Sequence, residues 1–500
     1  LLYQEHTIMP KKKVVVIGSG FAGLSAATNL AHKGYQVTLL EKNAQFGGRA
    51  RVMESQGFRF DMGPSWYWMP DVFEAYFAQF GKKVSDYYHL HRLDPGYTVF
   101  FGKDDVMTVP AQMSEIEQMF EQYEPGSAKK LRSFMTQAGE KYQIGMRDLV
   151  YKPNRSVLEY ASVSLLRNML KMDVFQSMRS HVYAHFKEPR LRKLMEFPVL
   201  FLGATPQNTP ALYSLMNYAD LSLGTWYPMG GMGEIVKAFV ALAEEKGVEL
   251  IPNAEVQSIE CSGAQATRVH TMQKTYDADV VVAAGDYHHI EQEVLPTTHR
   301  QYSPAYWKNR TMAPSSLLFY IGLKKPLPGL THHSLFFDEE FDRHAEQIYA
   351  RPSWPDRPLF YTSLSSKTDP TVAPEGKENL VILVPLAVDL PDPEEARERC
   401  YHQVMDRFEH ITGVGIRDLV EVRQSYAHSD FRRDYHAFGG NAYGLANTLA
   451  QTAIFKPSMR HKKLSNLYFT GQLTIPGPGV PPTIISGQVV TGEIVRDWPI

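Results

Sequence analysis

Gly18-Ser19-Gly20-Phe21-Ala22-Gly23 sets three glycines at a fixed spacing, and a carboxylate, Glu41, follows with Lys42 beside it. That set of residue types suits a dinucleotide. Gly18 permits a tight turn, Gly20 lets backbone N–H groups approach a pyrophosphate, and Gly23 lets the following helix lie close to a sheet. The start of that helix, through Phe21 and Ala22, favours phosphate charge. Glu41 stands where a carboxylate accepts hydrogen bonds from a ribose diol. The elements that would hold these residues are legible on either side. Val14-Val15-Val16-Ile17 precedes the glycines and Val37-Thr38-Leu39-Leu40 ends at Glu41, so strand, turn, helix, strand and acid succeed one another.

Beyond the acid, the two glycines of Gly47-Gly48-Arg49 let the chain pass close to a bulky cofactor, and Arg49 can pair with phosphate. Gly57-Phe58-Arg59-Phe60-Asp61-Met62-Gly63-Pro64 reads as a strand running into a turn at Gly63 and Pro64. This block resembles the flavin amine oxidase and carotenoid desaturase superfamily, whose members bind FAD in this way. The segment Asn466-Leu467-Tyr468-Phe469-Thr470-Gly471, with Pro476-Gly477-Pro478-Gly479-Val480-Pro481 after it, is similar to the closing motif of bacterial carotenoid (phytoene) desaturases. There a strand and a glycine-proline turn deliver backbone to the flavin, which implicates Gly471, Gly479 and Val480. Trp226-Tyr227-Pro228-Met229-Gly230-Gly231-Met232-Gly233 resembles the family's middle block. Asn253-Ala254-Glu255-Val256 resembles its strand near the adenine, which implicates Val256. The resemblance runs over essentially the whole chain from Lys11 onward. It departs at Gly471-Gln472-Leu473-Thr474-Ile475-Pro476-Gly477-Pro478-Gly479, where the family more often has Gly-Ala-Gly-Thr-His-Pro-Gly-Ala-Gly, and reaction count and regiochemistry stay open.

The resemblance implies an α/β fold: a discontinuous Rossmann-like FAD-binding domain of the amine-oxidase type with an inserted α+β substrate domain. The sequence pattern assigns 10–104, 225–300 and 420–500 to the flavin domain. It assigns 105–224 and 301–419 to the substrate or membrane-associated domain. Gln112 to Tyr123, Ala128 to Gln143, Val157 to Leu170 and Val174 to Phe186 read as helices. Val248 to Ile251 and Val256 to Ile259 read as short strands returning to the first sheet, and Val280-Val281-Val282-Ala283 as a buried parallel strand.

Composition narrows the partners. Lys plus Arg number 52 against 54 Asp plus Glu, so charge gives no support to nucleic acid. Two cysteines exclude a disulfide framework and point to a reducing cytoplasm. No apolar run approaches the roughly 18 residues that span a bilayer. The expectation is therefore a cytoplasmic protein held peripherally at the inner face of the cell membrane, with Arg190, Arg192 and Lys193 as headgroup contacts. His288-His289 and His332-His333 have no Cys, Asp or Glu at ligand spacing, so no metal is expected.

Desaturation of a hydrocarbon needs burial rather than charge, at about 25 cal/mol per Å². Phe197 to Leu202 and Tyr213 to Tyr218 are candidate walls of such a tunnel, or ordinary core. Glu159 and Asp434 are the carboxylates to test as proton acceptors. The function the resemblance implies is an FAD-dependent carotenoid desaturase acting on phytoene toward lycopene, reoxidised by oxygen or a quinone. Alternatives are a desaturase of a hydroxylated or shorter polyene, a carotenoid isomerase, and a non-catalytic isoprenoid-escort protein. An amine oxidase and an NAD-dependent dehydrogenase fit the closing block less well.

Overall fold

The computed structural model describes residues 11–156, Glu159, Asp173, 175–203 and 205–500. The expected helix over 157–170 lies outside them, apart from Glu159. A five-stranded parallel sheet has the order Leu467–Phe469, Val280–Ala283, Lys13–Ile17, Gln36–Leu40, Glu249–Ile251. Val14, Val16, Val280 and Val282 are fully buried, as a central strand covered on both faces requires. The helix Phe21–His32 crosses one face, and the C-terminal helix Val480–Asp497 lies against it. Ser25 Oγ donates to the Ile484 carbonyl at 2.8 Å, which fixes that pair. From Lys13–Ile17 the chain continues to one neighbour, and a strand distant in sequence fills the other side. The strand order reverses there, so a crevice opens beyond the strand ends.

A second sheet has seven strands, in the order Val420–Tyr426, Ser315–Leu323, Glu378–Leu386, Phe360–Ser363, His333–Phe336, Tyr97–Gly102, Asp105–Val109. Pairing is antiparallel except between His333–Phe336 and Tyr97–Gly102. Its period-two alternation is clear. Leu317, Phe319 and Ile321 pack on one face with Val404 and Phe408 of the helix Glu394–Thr412. Leu318 and Tyr320 face the other way, toward Phe58 and Phe60.

Three sequence expectations differ from this arrangement. Tyr97–Gly102 and Val420–Tyr426 belong to the seven-stranded sheet, so the boundaries at 104 and 420 cut through it. Val256–Ser262 leaves the parallel sheet and pairs antiparallel with Gln265–Thr271. Only Val256 and Ile259 of its seven residues are buried, which suits a half-exposed hairpin better than a doubly covered strand. Among the helices, Met113–Tyr123, Ser127–Ile144 and Met178–His185 lie within the expected helical region, beside the second sheet's edge.

Candidate active site

One cavity of about 520 Å³ runs from the crevice of the parallel sheet to the inner face of the second sheet. At the crevice end its wall includes Gly18, Ser19, Gly20, Phe21 and Ala22. Glu41, Lys42, Gly48, Arg49, Gly63 and Pro64 continue it, and Val256, Gly471, Gly479 and Val480 close it. Gly23 is not on the wall. It faces the protein instead, since a Cβ there would lie 2.0 Å from the Gly18 carbonyl oxygen. Gly20 is the opposite case. Its backbone is ordinary extended chain, at φ −63° and ψ 169°, and a Cβ would meet nothing within 4 Å. Neither strain nor protein contact calls for glycine at 20, so the requirement lies in what enters the cavity.

The polar groups fit a dinucleotide with its pyrophosphate. Arg49 is half-buried, its Nη2 donates to the Asn441 carbonyl at 3.2 Å, and its buried Nε has no acceptor. Burial lowers its pKa, while Asp286 acts in the opposite sense. Burial also raises the Asp286 carboxyl, although the N–H of His289 reaches Oδ1 at 3.1 Å and that of Phe438 reaches Oδ2 at 3.2 Å. A guanidinium with a spare donor inside an enclosed cavity is suited to phosphate oxygens. Glu41 is poised in a specific way. Its Oε2 accepts from Ser19 N at 2.9 Å and Ser19 Oγ at 2.5 Å. Its Oε1 accepts from Asn43 N at 2.8 Å and Asn43 Nδ2 at 3.0 Å. These four bonds fill the carboxylate, so a ribose diol would have to exchange with one of the two side-chain donors, which can rotate away.

The far half of the cavity is apolar. Trp66, Phe197, Leu335, Phe337, Leu359 and Tyr361 are among the residues that line it. Trp66 and Trp68 lie 5.2 Å apart between ring centres, and Phe337 and Phe341 4.7 Å. Among the described residues, every Asp, Glu, Lys and Arg on the wall is at the nucleotide end: Glu41, Lys42, Arg49, Glu255, Asp286 and Asp434. His344 borders the apolar half but is already engaged. Its Nε2 donates to the Pro385 carbonyl at 3.0 Å, and its Nδ1 accepts from Leu359 N at 3.1 Å. Burial lowers its pKa to about 4, so it stays neutral.

The two carboxylates singled out as proton acceptors are not placed to serve. Glu159 accepts from the N–H groups of Asn154 and Arg155, each at 3.0 Å, and does not border the cavity. It closes a turn. Asp434 does border the cavity, but at its nucleotide end. Arg51 Nη2 reaches Asp434 Oδ2 at 2.6 Å, Tyr426 Oη reaches the same oxygen at 2.9 Å, and Arg433 Nε reaches Oδ1 at 2.7 Å. Burial pushes its pKa up, yet the bonds from Arg433, Tyr426 and Arg51 outweigh that and hold it below the usual range. A carboxylate so held is a poor base.

Sequence reasoning did not name Asp286, Trp66, Tyr361 or His344. Asp286 had a signal, the buried strand that ends just before it. Of the candidate tunnel stretches, Phe197, Leu200 and Met216 reach the wall.

The flavin containing amine oxidoreductase family model matches residues 21–495. The chain belongs to this family. It is therefore an oxidoreductase that uses FAD, and the residues described above fit that cofactor. A carotenoid 3,4-desaturase from Haloarcula japonica is 42% identical over 97% of this chain and 98% of its own length. A zeta-carotene-forming phytoene desaturase from Myxococcus xanthus is 30% identical over 97% of this chain and 94% of its own. These relatives put the chain in the carotenoid-desaturase branch of the family. An oxidoreductase from Methanosarcina mazei shares the fold, with a TM-score of 0.65 at 16% identity, over 96% of this chain and 100% of that one.

Proposed function

We propose that this protein desaturates a carotenoid and that the bond it introduces is the 3,4 bond. The observation that supports the regiochemistry is the higher identity to the 3,4-desaturase, 42% against 30% for the phytoene desaturase, over nearly the whole chain in both. The phytoene-to-lycopene reaction is the competing reading. The cavity agrees with a hydrocarbon substrate, because its far half offers ring faces and aliphatic side chains and no charged anchor. Such a ligand is held by burial of apolar surface alone, at about 25 cal/mol per Å².

FAD, when bound, supplies the acceptor for one hydrogen and its electron pair. The chain supplies the rest. Ser19, Gly20, Glu41, Arg49, Gly479 and Val480 would hold the nucleotide and ring. Trp66, Phe197, Phe337 and Tyr361 exclude water and orient the polyene. We further propose peripheral contact with the inner leaflet and reoxidation by oxygen or a quinone. No helix among the described residues is long and apolar enough to cross a membrane. Phe175 is 92% exposed, and exposed Tyr183 has the Arg192 guanidinium 3.9 Å from its ring centre. An aromatic beside a cation suits a headgroup layer. Of the other two cations, Arg190 is committed to Asp105 at 2.8 Å.

Expression in bacteria that accumulate phytoene, lycopene or a hydroxylated carotenoid, with pigments resolved by chromatography, tests the reading. A product with a new 3,4 double bond from the conjugated substrates supports it. Conversion of phytoene alone would transfer the assignment to the competing reaction.

A further inference from the structure

Desaturation removes two hydrogens, and the second leaves as a proton that needs an acceptor. Both carboxylates expected to take it are engaged elsewhere. At the junction of the nucleotide wall and the apolar wall, directly after Gly63 and Pro64, stands Ser65. Tyr361 Oη donates to Ser65 Oγ at 2.9 Å, and His333 Nδ1 lies 2.6 Å from the Tyr361 oxygen. His333 is stacked on Trp66 with ring centres 4.2 Å apart, so the phenol is held from behind. Ser65 and Tyr361 also border a second, small chamber of about 20 Å³, where Asp61, Tyr227, His332, Ser363 and Ser365 face Leu318, Val381 and Leu383. That is room for about one water, which needs two to four polar partners, and the walls provide them. Asp61 is half-buried, and its oxygens accept from Met232 N at 2.9 Å and Gly233 N at 3.2 Å.

We propose that Ser65, Tyr361 and Asp61 form the proton outlet of the reaction, with one water in the small chamber joining the two hydroxyls to the Asp61 carboxylate. The proposal rests on the desaturase reading above. The bookkeeping closes. One substrate carbon gives up hydrogen with its electron pair to FAD. The neighbouring C–H bond breaks, its electrons become the new π bond, and its proton enters the Tyr361–Ser65 pair. That pair passes a proton through the water to Asp61. An allylic cation-like carbon is strongly acidic, so neutral hydroxyls suffice as first acceptors. His333 is a positioning residue that fixes the phenol. Burial, the largest influence, raises the Asp61 carboxyl to about 6 against the pull of the two N–H groups and Arg59, which suits a group that takes up and releases a proton near neutrality.

Titratable and charged groups face Asp61 from several elements. His332 is lowered to about 3 by burial, and Tyr227, Tyr320 and Tyr361 are all raised. Glu234 is paired with Arg59 at 3.0 Å and Lys237 at 2.7 Å.

The test uses the FAD-loaded enzyme with carotenoid in liposomes, following flavin bleaching anaerobically from pH 5 to 8, for wild type, Tyr361→Phe and Asp61→Asn. Infrared titration without substrate adds a readout independent of turnover. The expected results are a tenfold or greater fall in bleaching rate for Tyr361→Phe with unchanged polyene affinity, and loss of the inflection near pH 6 in Asp61→Asn. A carboxyl band that grows in near pH 6 in wild type is missing from the Asp61→Asn difference spectrum, which keeps the bands of Asp220 and Glu493 near pH 7. The amide oxygen that Asp61→Asn introduces still accepts from one of the two N–H groups, so the helix start keeps a partner, and Tyr361→Phe leaves it untouched. Wild-type rates in both variants, with wild-type conversion intact, overturn the outlet and leave the desaturase reading standing. No carotenoid oxidation by wild type overturns the desaturase reading and the outlet with it.

Discussion

Gly20 and Gly23 sit three residues apart in one motif, yet the structure assigns them opposite duties, and alanine at each should separate them. At Gly23 the new Cβ would lie 2.0 Å from the Gly18 carbonyl oxygen, well inside contact distance, and the helix must move away from the strand end. Overpacking of this kind costs about 1–3 kcal/mol or more. Gly23→Ala should therefore lower the melting temperature of the apoprotein itself. At Gly20 the Cβ enters open space and the backbone suits alanine, so apoprotein stability should hold or rise by about 0.4–1 kcal/mol. The methyl group intrudes only on what the cavity receives. If that is the pyrophosphate, an intrusion costing about 1–3 kcal/mol weakens FAD by roughly 5- to 150-fold. Calorimetry of the apoprotein and fluorescence titration with FAD read the two effects separately. Unchanged FAD affinity in Gly20→Ala, or an unchanged apoprotein melting temperature in Gly23→Ala, would refute the division of labour.

Two further outcomes follow from charge. Asp434→Asn should leave the rate of flavin bleaching at saturating FAD within about twofold of wild type, because a bound anion beside Arg51 is not the base. A loss of about 100-fold or more would restore it to that role. Acidification should destabilise the fold. Burial lowers His181, His288, His289, His344 and His461 to about 4 and His332 to about 3. The unfolded chain takes up these protons near pH 6.5 and the folded chain does not, so their contribution is lost as pH falls from about 6.5 toward 4. Asp61, raised to about 6, and Asp220 and Glu493, raised to about 7, act in the opposite sense, favouring the fold as pH falls. With His32, His333 and His428 also lowered and Asp286, Glu196 and Glu378 also raised, nine imidazoles stand against six carboxyls and give a net loss, and urea midpoints that stayed level or rose between pH 6.5 and 4.5 would contradict it.

The parallel sheet was legible because its strands are short apolar runs with local punctuation, from Val14 to Glu41, and such patterns need no distant partner to be recognised. Val420–Tyr426 was not, since it joins Ser315–Leu323 across about a hundred residues and nothing local marks that choice. Val256–Ser262 misled because a hairpin strand and a short returning strand share one composition. At the site, the glycines and Glu41 announce themselves through spacing. The apolar half does not, because Trp66, Phe337 and Phe341 would look the same in an ordinary core. Asp61 and Ser65 share one segment, but Tyr361 reaches them only through the second sheet, so no spacing rule joins it to them. Glu159 and Asp434 drew notice as carboxylates, and their engagement with backbone and arginine is a property of the folded chain.

Anaerobic mixing of the FAD-loaded protein with a carotenoid in liposomes, recording flavin and polyene absorbance together, addresses the account most directly. One equivalent of flavin should bleach for each double bond gained, with the polyene spectrum moving to longer wavelength in step. A polyene that shifts while the flavin stays oxidised, or a flavin that bleaches with no lengthening of conjugation, contradicts electron transfer from a hydrocarbon held in this cavity.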